Sequence, residues 1–267
     1  MIDIWFIIFL LLLGGIVGFF AGLLGIGGGG IMVPVLTSLF LAYGKPVDTV
    51  VHLALGTSMA SIVVTSISSM RAHHKKNGVQ WDIVKSIAPG MLLGAFAATF
   101  VASSLNSKYL AVFFSIFMAW ISAQMFLNVK PKSHRALPGK ISLFSAGCLI
   151  GAISSLVSIG GGSLTVPFLT WNNVRVTNAI GTSAALALPI SLAGTLGYIL
   201  NGWGKISEDP GTIGFIYLPG VIIISSVSFF MAPLGAKAAH KISVDTLKKI
   251  FALLLIALSL KMLAAVM

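Results

Sequence analysis

Long apolar stretches separated by short polar ones run the length of this chain, and their lengths predict membrane-crossing helices. Ile4 to Leu24 is 21 residues, about 31 Å of helix and enough for one crossing. Within it Gly14, Gly18 and Gly22 fall every fourth residue, a smooth face on which a second backbone can approach closely, inside the chain or across a homodimer. Val50 to Met70, Ile83 to Ser103 and Tyr109 to Leu127 are the next full-length stretches, the last two joined by a Ser104 to Lys108 turn. The first of these three carries a polar string of Gly56, Thr57, Ser58, Ser61, Thr65 and Ser68 and closes on the basic cluster Arg71-Ala72-His73-His74-Lys75-Lys76. Lys45-Pro46-Val47-Asp48 before it reads as a loop.

One segment breaks this pattern. Gly25-Ile26-Gly27-Gly28-Gly29-Gly30 follows the first stretch, and the apolar arm after it, Ile31 to Tyr43, has only 13 residues, about 20 Å of helix. Glycine runs are flexible turns in water; in lipid, backbone groups released from a helix need partners in protein or in a water-filled cavity. Either extended backbone completes this crossing or the arm is re-entrant.

The pattern then recurs. Residues 151–169 repeat residues 18–36 at nine of nineteen positions, including the three central glycines, the valine and the proline. The second break is Ser158-Ile159-Gly160-Gly161-Gly162-Ser163, and its short arm runs from Leu164 to Trp171. Downstream, Gly56-Thr57-Ser58 returns as Gly181-Thr182-Ser183, Pro89-Gly90 as Pro219-Gly220, and Met125 as Met262. The chain therefore divides into a first repeat at 1–128, a linker at 129–140 carrying Lys130, Lys132, Arg135 and Lys140, and a second repeat at 141–267. Two broken segments at corresponding positions of two halves point to a transporter's binding site.

Composition narrows the class. With 57% hydrophobic and 9% charged residues, against roughly 25% charged in soluble domains, the chain is an all-α polytopic membrane protein. Its 17 Lys+Arg against 6 Asp+Glu fit basic cytoplasmic loops, with no nucleic-acid partner. The lone Cys148 gives no disulfide framework. The first apolar stretch reads as a retained helix, since Asp3 replaces the basic start of a signal peptide and no A-x-A site follows. Placing residues 71–76, 130–140 and 237–249 in the cytoplasm puts 201–210, with Glu208 and Asp209, outside. The matching loops of the halves then face opposite sides, so the repeats are inverted, each with four helices plus the Gly-broken segment as a fifth crossing. Re-entrant arms would instead give four spans per half, parallel repeats and an external 237–249.

Candidate chemistry centres on the breaks. Gly25, Gly27 and Gly30 satisfy G-x-G-x-x-G, with Asp48 further on, but they follow a lipid-length helix rather than a strand, and the second copy lacks the acid. No phosphate-binding loop for ATP, no H-E-x-x-H and no paired membrane aspartates occur, so neither an enzyme nor a cofactor is expected. As a site, each break exposes backbone N–H groups at Gly27, Gly28, Gly29 and Gly30, or at Gly160, Gly161, Gly162 and Ser163. Each also starts a half-helix near Ile31 or Leu164, whose positive dipole end favours an anion. As packing, the glycines let two helices cross closely.

Thr57, Ser58, Thr182 and Ser183 either offer hydroxyls to an oxyanion or bond back to their own helices. Arg175, just past the second arm, either grips a sulfonate or carboxylate with its fork or marks the membrane surface. His52, one turn after Asp48, is a pH-sensing pair or a capped helix start. All six acids lie at or near segment ends, so a buried carboxylate for proton pumping is missing; coupling falls to His52 or backbone carbonyls, or export is uncoupled.

The paired [G/S]-x-G-G-G-x-x-x-V-P breaks, with Gly25 first in one and Ser158 in the other, each followed by G-T-S and then P-G, resemble the sulfite exporter TauE/SafE family over nearly the whole chain. The resemblance implies a multi-pass permease of the inner or plasma membrane that moves small sulfur-containing or carboxylated anions such as sulfite or organosulfonates. An anion channel, or a permease importing a small carboxylate or sulfonate, is the alternative. Two departures, Ser163 where the first half has Gly30 and a shorter second half between proline and Gly-Thr-Ser, point to unequal binding roles.

Overall fold

The structure, a computed structural model, describes residues 3–127, 137–205, 210–239 and 244–267, with side chains for all of these except 244–248. Most of the expected basic linker and the acidic pair Glu208 and Asp209 lie outside the described residues. Ten helices account for nearly all the rest: α1 Ile4–Leu24, α2 Gly29–Ala42, α3 Val47–His74, α4 Trp81–Ser104, α5 Ser107–Leu127, α6 Lys140–Leu156, α7 Gly162–Trp171, α8 Val176–Gly202, α9 Leu218–Ala238 and α10 Val244–Val266. A two-strand hairpin, β1 Thr212–Ile213 against β2 Ile216–Tyr217, sits between α8 and α9.

Seven of these helices are long and apolar enough to cross a membrane; α2, α6 and α7 are shorter. Their outward faces carry Trp5, Leu93, Ile116, Leu149 and Phe230, large apolar side chains that only lipid can cover without loss. The inward faces carry little charge and many small or hydroxyl residues. With no hydrophobic force between helices in lipid, close packing and interhelical hydrogen bonds hold the bundle together.

Close approaches fix the direction of each helix. A Cβ on Gly14 would lie 2.6 Å from the Ile224 carbonyl oxygen and one on Gly18 2.6 Å from Ser228, while Gly22 meets Ala232. Helices α1 and α9 therefore run side by side in the same direction. The smooth face read from sequence is thus an internal seam. Gly90 and Gly94 of α4 meet Phe144 and Cys148 of α6 in the same parallel manner. Helix α3 also runs with α9, since Thr57 contacts Tyr217 at one end and Thr65 bonds Ser228 further along. It runs against α8, with Met59 beside Gly194 and Gly78 beside Gly181. Gln80, the N-cap of α4, bonds Thr182 and Thr99 lies beside Gly197, so α8 runs with α4 and hence with α6. Because α1 and α3 are parallel, the short α2 and its glycine break carry the chain back across the bundle; α7 does the same between the parallel α6 and α8.

Three local readings need correction. Val47 and Asp48 belong to α3 rather than to the loop before it, and α3 runs on through Arg71 and His74. The start of α3 is not capped by a side chain: its N-cap is Pro46, and Asp48 lies exposed in the first turn, where its charge complements the helix dipole. Lys45, in the loop before it, lies 5.8 Å over the Tyr217 ring, and partial burial there draws its ammonium below the ordinary lysine pKa.

Candidate functional site

Each break is built by backbone that only a few residues adopt. Gly28 caps α2 at φ 81° and Gly161 caps α7 at φ 77°, both left-handed, a region that costs a side-chain-bearing residue about 1–2 kcal/mol. At the earlier matched position the halves differ: Gly25 has φ 69°, whereas Ser158 holds φ 48° and donates its hydroxyl to the Leu55 carbonyl at 3.1 Å. That bond offsets the strain. Pro34 and Pro167 lie inside the arms; lacking an N–H, each frees the carbonyl four residues back, at Gly30 or Ser163, from its helical bond.

The two breaks cross back to back in the middle of the bundle. The Gly160 N–H donates to the Ile26 carbonyl at 3.2 Å, and a Cβ on Gly27 would lie 2.8 Å from the Gly160 Cα. Gly29 faces the Ser158 carbonyl, and Gly162 faces the Gly25 carbonyl, each with no room for a Cβ. All six residues from Gly25 to Gly30 are buried, as are Ser158 to Gly162. Close crossing is therefore one role these glycines fill.

Donors left over at the crossing suggest a second role. Among the described residues, the backbone N–H groups of Gly28, Gly29, Gly30, Gly162 and Ser163 have no acceptor, and neither cap residue offers a side-chain bond. Buried N–H groups of this kind are rare without a partner. The Ser58 hydroxyl, fully buried, is equally without a partner and lies 3.2 Å from where a Cβ on Gly29 would be. Beside Gly161, the buried Thr165 and Ser154 hydroxyls are also unpartnered, 3.4 and 3.7 Å from its Cβ position. Neutral donors thus collect at both half-helix starts.

The Gly-Thr-Ser turns do more structural work than their sequence suggests. Thr57 accepts the N–H of Tyr217, the N-cap of α9, at 2.9 Å, and Thr182 accepts the N–H of Gln80, the N-cap of α4, at 3.0 Å. Gly56 and Gly181 supply the clearance by which the carbonyls of Phe215 and Gly78, two residues before those caps, come close. Each threonine still keeps its own proton to donate. Ser183 does not, because its hydroxyl donates to the Gly25 carbonyl at 3.0 Å; its counterpart Ser58 does.

The structure thus brings Gly27 to Gly30, Gly160 to Ser163, Ser58 and Ser183 around one crossing, with Thr57 and Thr182 one residue away on the caps of α9 and α4. Arg175 lies elsewhere, exposed at the N-cap of α8, eight residues or about 12 Å of helix from Ser183. The surroundings of Gly30 and Ser163 differ. A Cβ on Gly30 would lie 2.9 Å from the end of the Leu255 side chain of α10, whereas Ser163 on α7 is half-buried. Ser154 and Thr165 escaped the sequence reading because their counterparts in the first half, Ala21 and Met32, carry no hydroxyl, so the duplication could not flag them.

The chain is similar to known membrane proteins of one family. The family model described as Sulfite exporter TauE/SafE matches residues 10–262. A probable membrane transporter protein of Haemophilus influenzae is 38% identical over 259 residues, covering 96% of this chain and 98% of that protein. One of Methanocaldococcus jannaschii is 30% identical across 88% of this chain and 86% of its own length. The probable membrane transporter protein YunE of Bacillus subtilis is 28% identical across 93% and 94%. No solved structure matches the chain.

Proposed function

Because this chain belongs to the sulfite exporter TauE/SafE family of membrane proteins, we propose that it is a secondary transporter that exports small sulfur-containing or organic anions, such as sulfite or organosulfonates, through the crossing of its two breaks. The observation that carries this reading is the set of unpartnered donors at this crossing: the buried N–H groups of Gly28, Gly29, Gly30 and Gly162, the N–H of half-buried Ser163, and the buried hydroxyls of Ser58, Ser154 and Thr165. These donors stand at half-helix N-termini, whose dipoles favour an anion. Thr57 and Thr182 add a hydroxyl proton each. No fixed cation stands among these groups, so the anion is held by neutral donors and can leave again.

The transport cycle follows from an inverted repeat of ten crossings. The helix directions support it, because α1, α3 and α9 run together and opposite to α8, while α4 runs with α6. Packing supports it too: α1 lies on α9 as α6 lies on α4, and α3 contacts α9 as α8 contacts α4. Matched hydrogen bonds repeat the correspondence. His73 Nε2 donates to the Gly22 carbonyl at 2.8 Å, and the Tyr198 hydroxyl, its counterpart in α8, donates to Ser155, the counterpart of Gly22, at 3.1 Å. Such a pair of halves can rock about the shared crossing and open it to alternate sides.

The test is the purified protein in liposomes, with uptake of labelled sulfite, sulfoacetate, thiosulfate and a carboxylate compared with and without ion gradients. Saturable uptake of at least one of the sulfur anions is expected. Failure of all four, with no shift in thermal stability by any of them, removes the anion reading.

A further inference from the structure

His52 is buried in the second turn of α3, 4% exposed, and each of its ring nitrogens faces an oxygen atom that can accept. Nε2 lies 3.0 Å from the Ala102 carbonyl oxygen at the end of α4; a carbonyl has no proton to give, so this nitrogen carries one. Nδ1 lies 3.3 Å from the Ser107 hydroxyl in the first turn of α5. That hydroxyl donates to the Asp48 backbone carbonyl at 2.7 Å. A hydroxyl has one proton and can also accept: with that proton on the Asp48 carbonyl, Nδ1 donates and the ring is an imidazolium; with it turned to Nδ1, the ring is neutral.

We propose that His52 is a proton-binding site whose imidazolium latches together the ends of α3, α4 and α5. The ring also stacks on Phe215 at 5.0 Å between centroids. The Phe215 carbonyl packs on Gly56, and Thr57 holds the Tyr217 N–H two residues on, so the latch bears on the turn that supplies Ser58. Loss of one proton breaks the Nδ1–H bond and sends that proton to water at this end of the bundle, the end that the distribution of basic loops places outside. Neutral Nδ1 then becomes an acceptor, and the Ser107 hydroxyl turns from the Asp48 carbonyl toward it. Three hydrogen bonds joining the helix ends become two.

The charged and titratable groups around this site, among the described residues, are few. On α3 Asp48 is exposed; on α5 Lys108 and Tyr109 are exposed. From the segment after α8, Lys205 donates to the Ser103 carbonyl at 3.3 Å and adds a like charge. The hairpin presents Tyr217, and the last turn of α4 holds only Ala102, Ser103 and Ser104. The site has no counterpart in the second half, where the matching position is the exposed Thr177. It is therefore a property of one gate.

The consequence for transport rests on the anion-export reading; the protonation state does not. Ring-nitrogen NMR of 15N-histidine-labelled protein in lipid nanodiscs reads the latter, with His52 assigned by its loss in His52→Gln. At about pH 5 both nitrogens should carry protons, and one should be lost as pH rises. In Ser107→Ala, where Nδ1 has lost its acceptor, the singly protonated form should appear at lower pH. A His52 ring that stays neutral from about pH 5 to pH 8 overturns the proposal, as does an unaltered titration in Ser107→Ala. In liposomes, sulfonate flux should change about tenfold across the same external pH range, and His52→Gln should flatten the profile. A sulfonate keeps its charge over that range, so the substrate does not titrate. An equal pH profile in His52→Gln overturns the gating role, while absence of any sulfonate or sulfite flux with a normal NMR titration counts against the transport reading instead.

Discussion

Single side chains at the crossing separate structure from function. Thr57 accepts a buried N–H from the α9 cap; Thr57→Val leaves that donor unsatisfied at a cost of about 1–3 kcal/mol, which a thermal-stability assay in detergent will register. Ser58 is buried and bonded to nothing among the described residues. Ser58→Ala therefore breaks no bond, and its stability should stay within about 0.5 kcal/mol of the parent while anion affinity falls about tenfold, the worth of one hydrogen bond to a charged ligand. An Ser58→Ala variant that loses stability but transports normally would make the hydroxyl structural. Arg175→Gln should leave the KM for a sulfonate unchanged, since the guanidinium sits at the exposed start of α8; a tenfold rise would bring that residue back into the site.

At the scale of helices, what the sequence made legible depended on whether one segment carried the signal. The 21-residue length of α1 and the four-residue spacing of Gly14, Gly18 and Gly22 are local, and both appear in the structure as read. The partner of that glycine face was not legible. Helix α9 lies more than two hundred residues along the chain, and no property of α1 names it. Likewise Gly-Thr-Ser recurs visibly in sequence, yet its threonines act on the N-caps of α9 and α4, each in the opposite half. The polar string in α3 was visible as polarity; that Thr65 and Ser68 spend it on Ser228 and Phe229 required the packed bundle. Gly18→Leu tests the seam directly. A side chain there would strike the Ser228 backbone, and overpacking of this kind costs about 1–3 kcal/mol or more, so the variant should lose folded protein in the membrane rather than substrate affinity alone. Normal yield and melting temperature would mean that α1 and α9 do not pack this way.

For the whole molecule, parallel α1 and α3 leave the short, broken segment between them to carry the chain back, and parallel α6 and α8 leave the same to α7. In the ten-crossing reading proposed above, the glycine breaks are the places where two of the crossings change from helix to irregular backbone. Irregular backbone persists at membrane depth only where protein or a cavity surrounds it; here the two breaks surround each other, with donors to spare. On the proposed reading, the binding groups sit on the elements that rocking would move. The most direct measurement is counterflow in proteoliposomes preloaded with unlabelled sulfite, following entry of labelled sulfite for the parent, for Gly161→Leu and for Gly139→Ala. Gly161 caps α7, and a Cβ there would lie 2.6 Å from Ile190; Gly139, the N-cap of α6 at φ −62°, has nothing within reach of a Cβ. Saturable entry, accelerated by internal sulfite, near normal in Gly139→Ala and abolished in correctly inserted Gly161→Leu, is the predicted result. Entry that rises linearly with concentration and gains nothing from internal sulfite, or full activity in Gly161→Leu, would contradict a carrier working through the paired breaks.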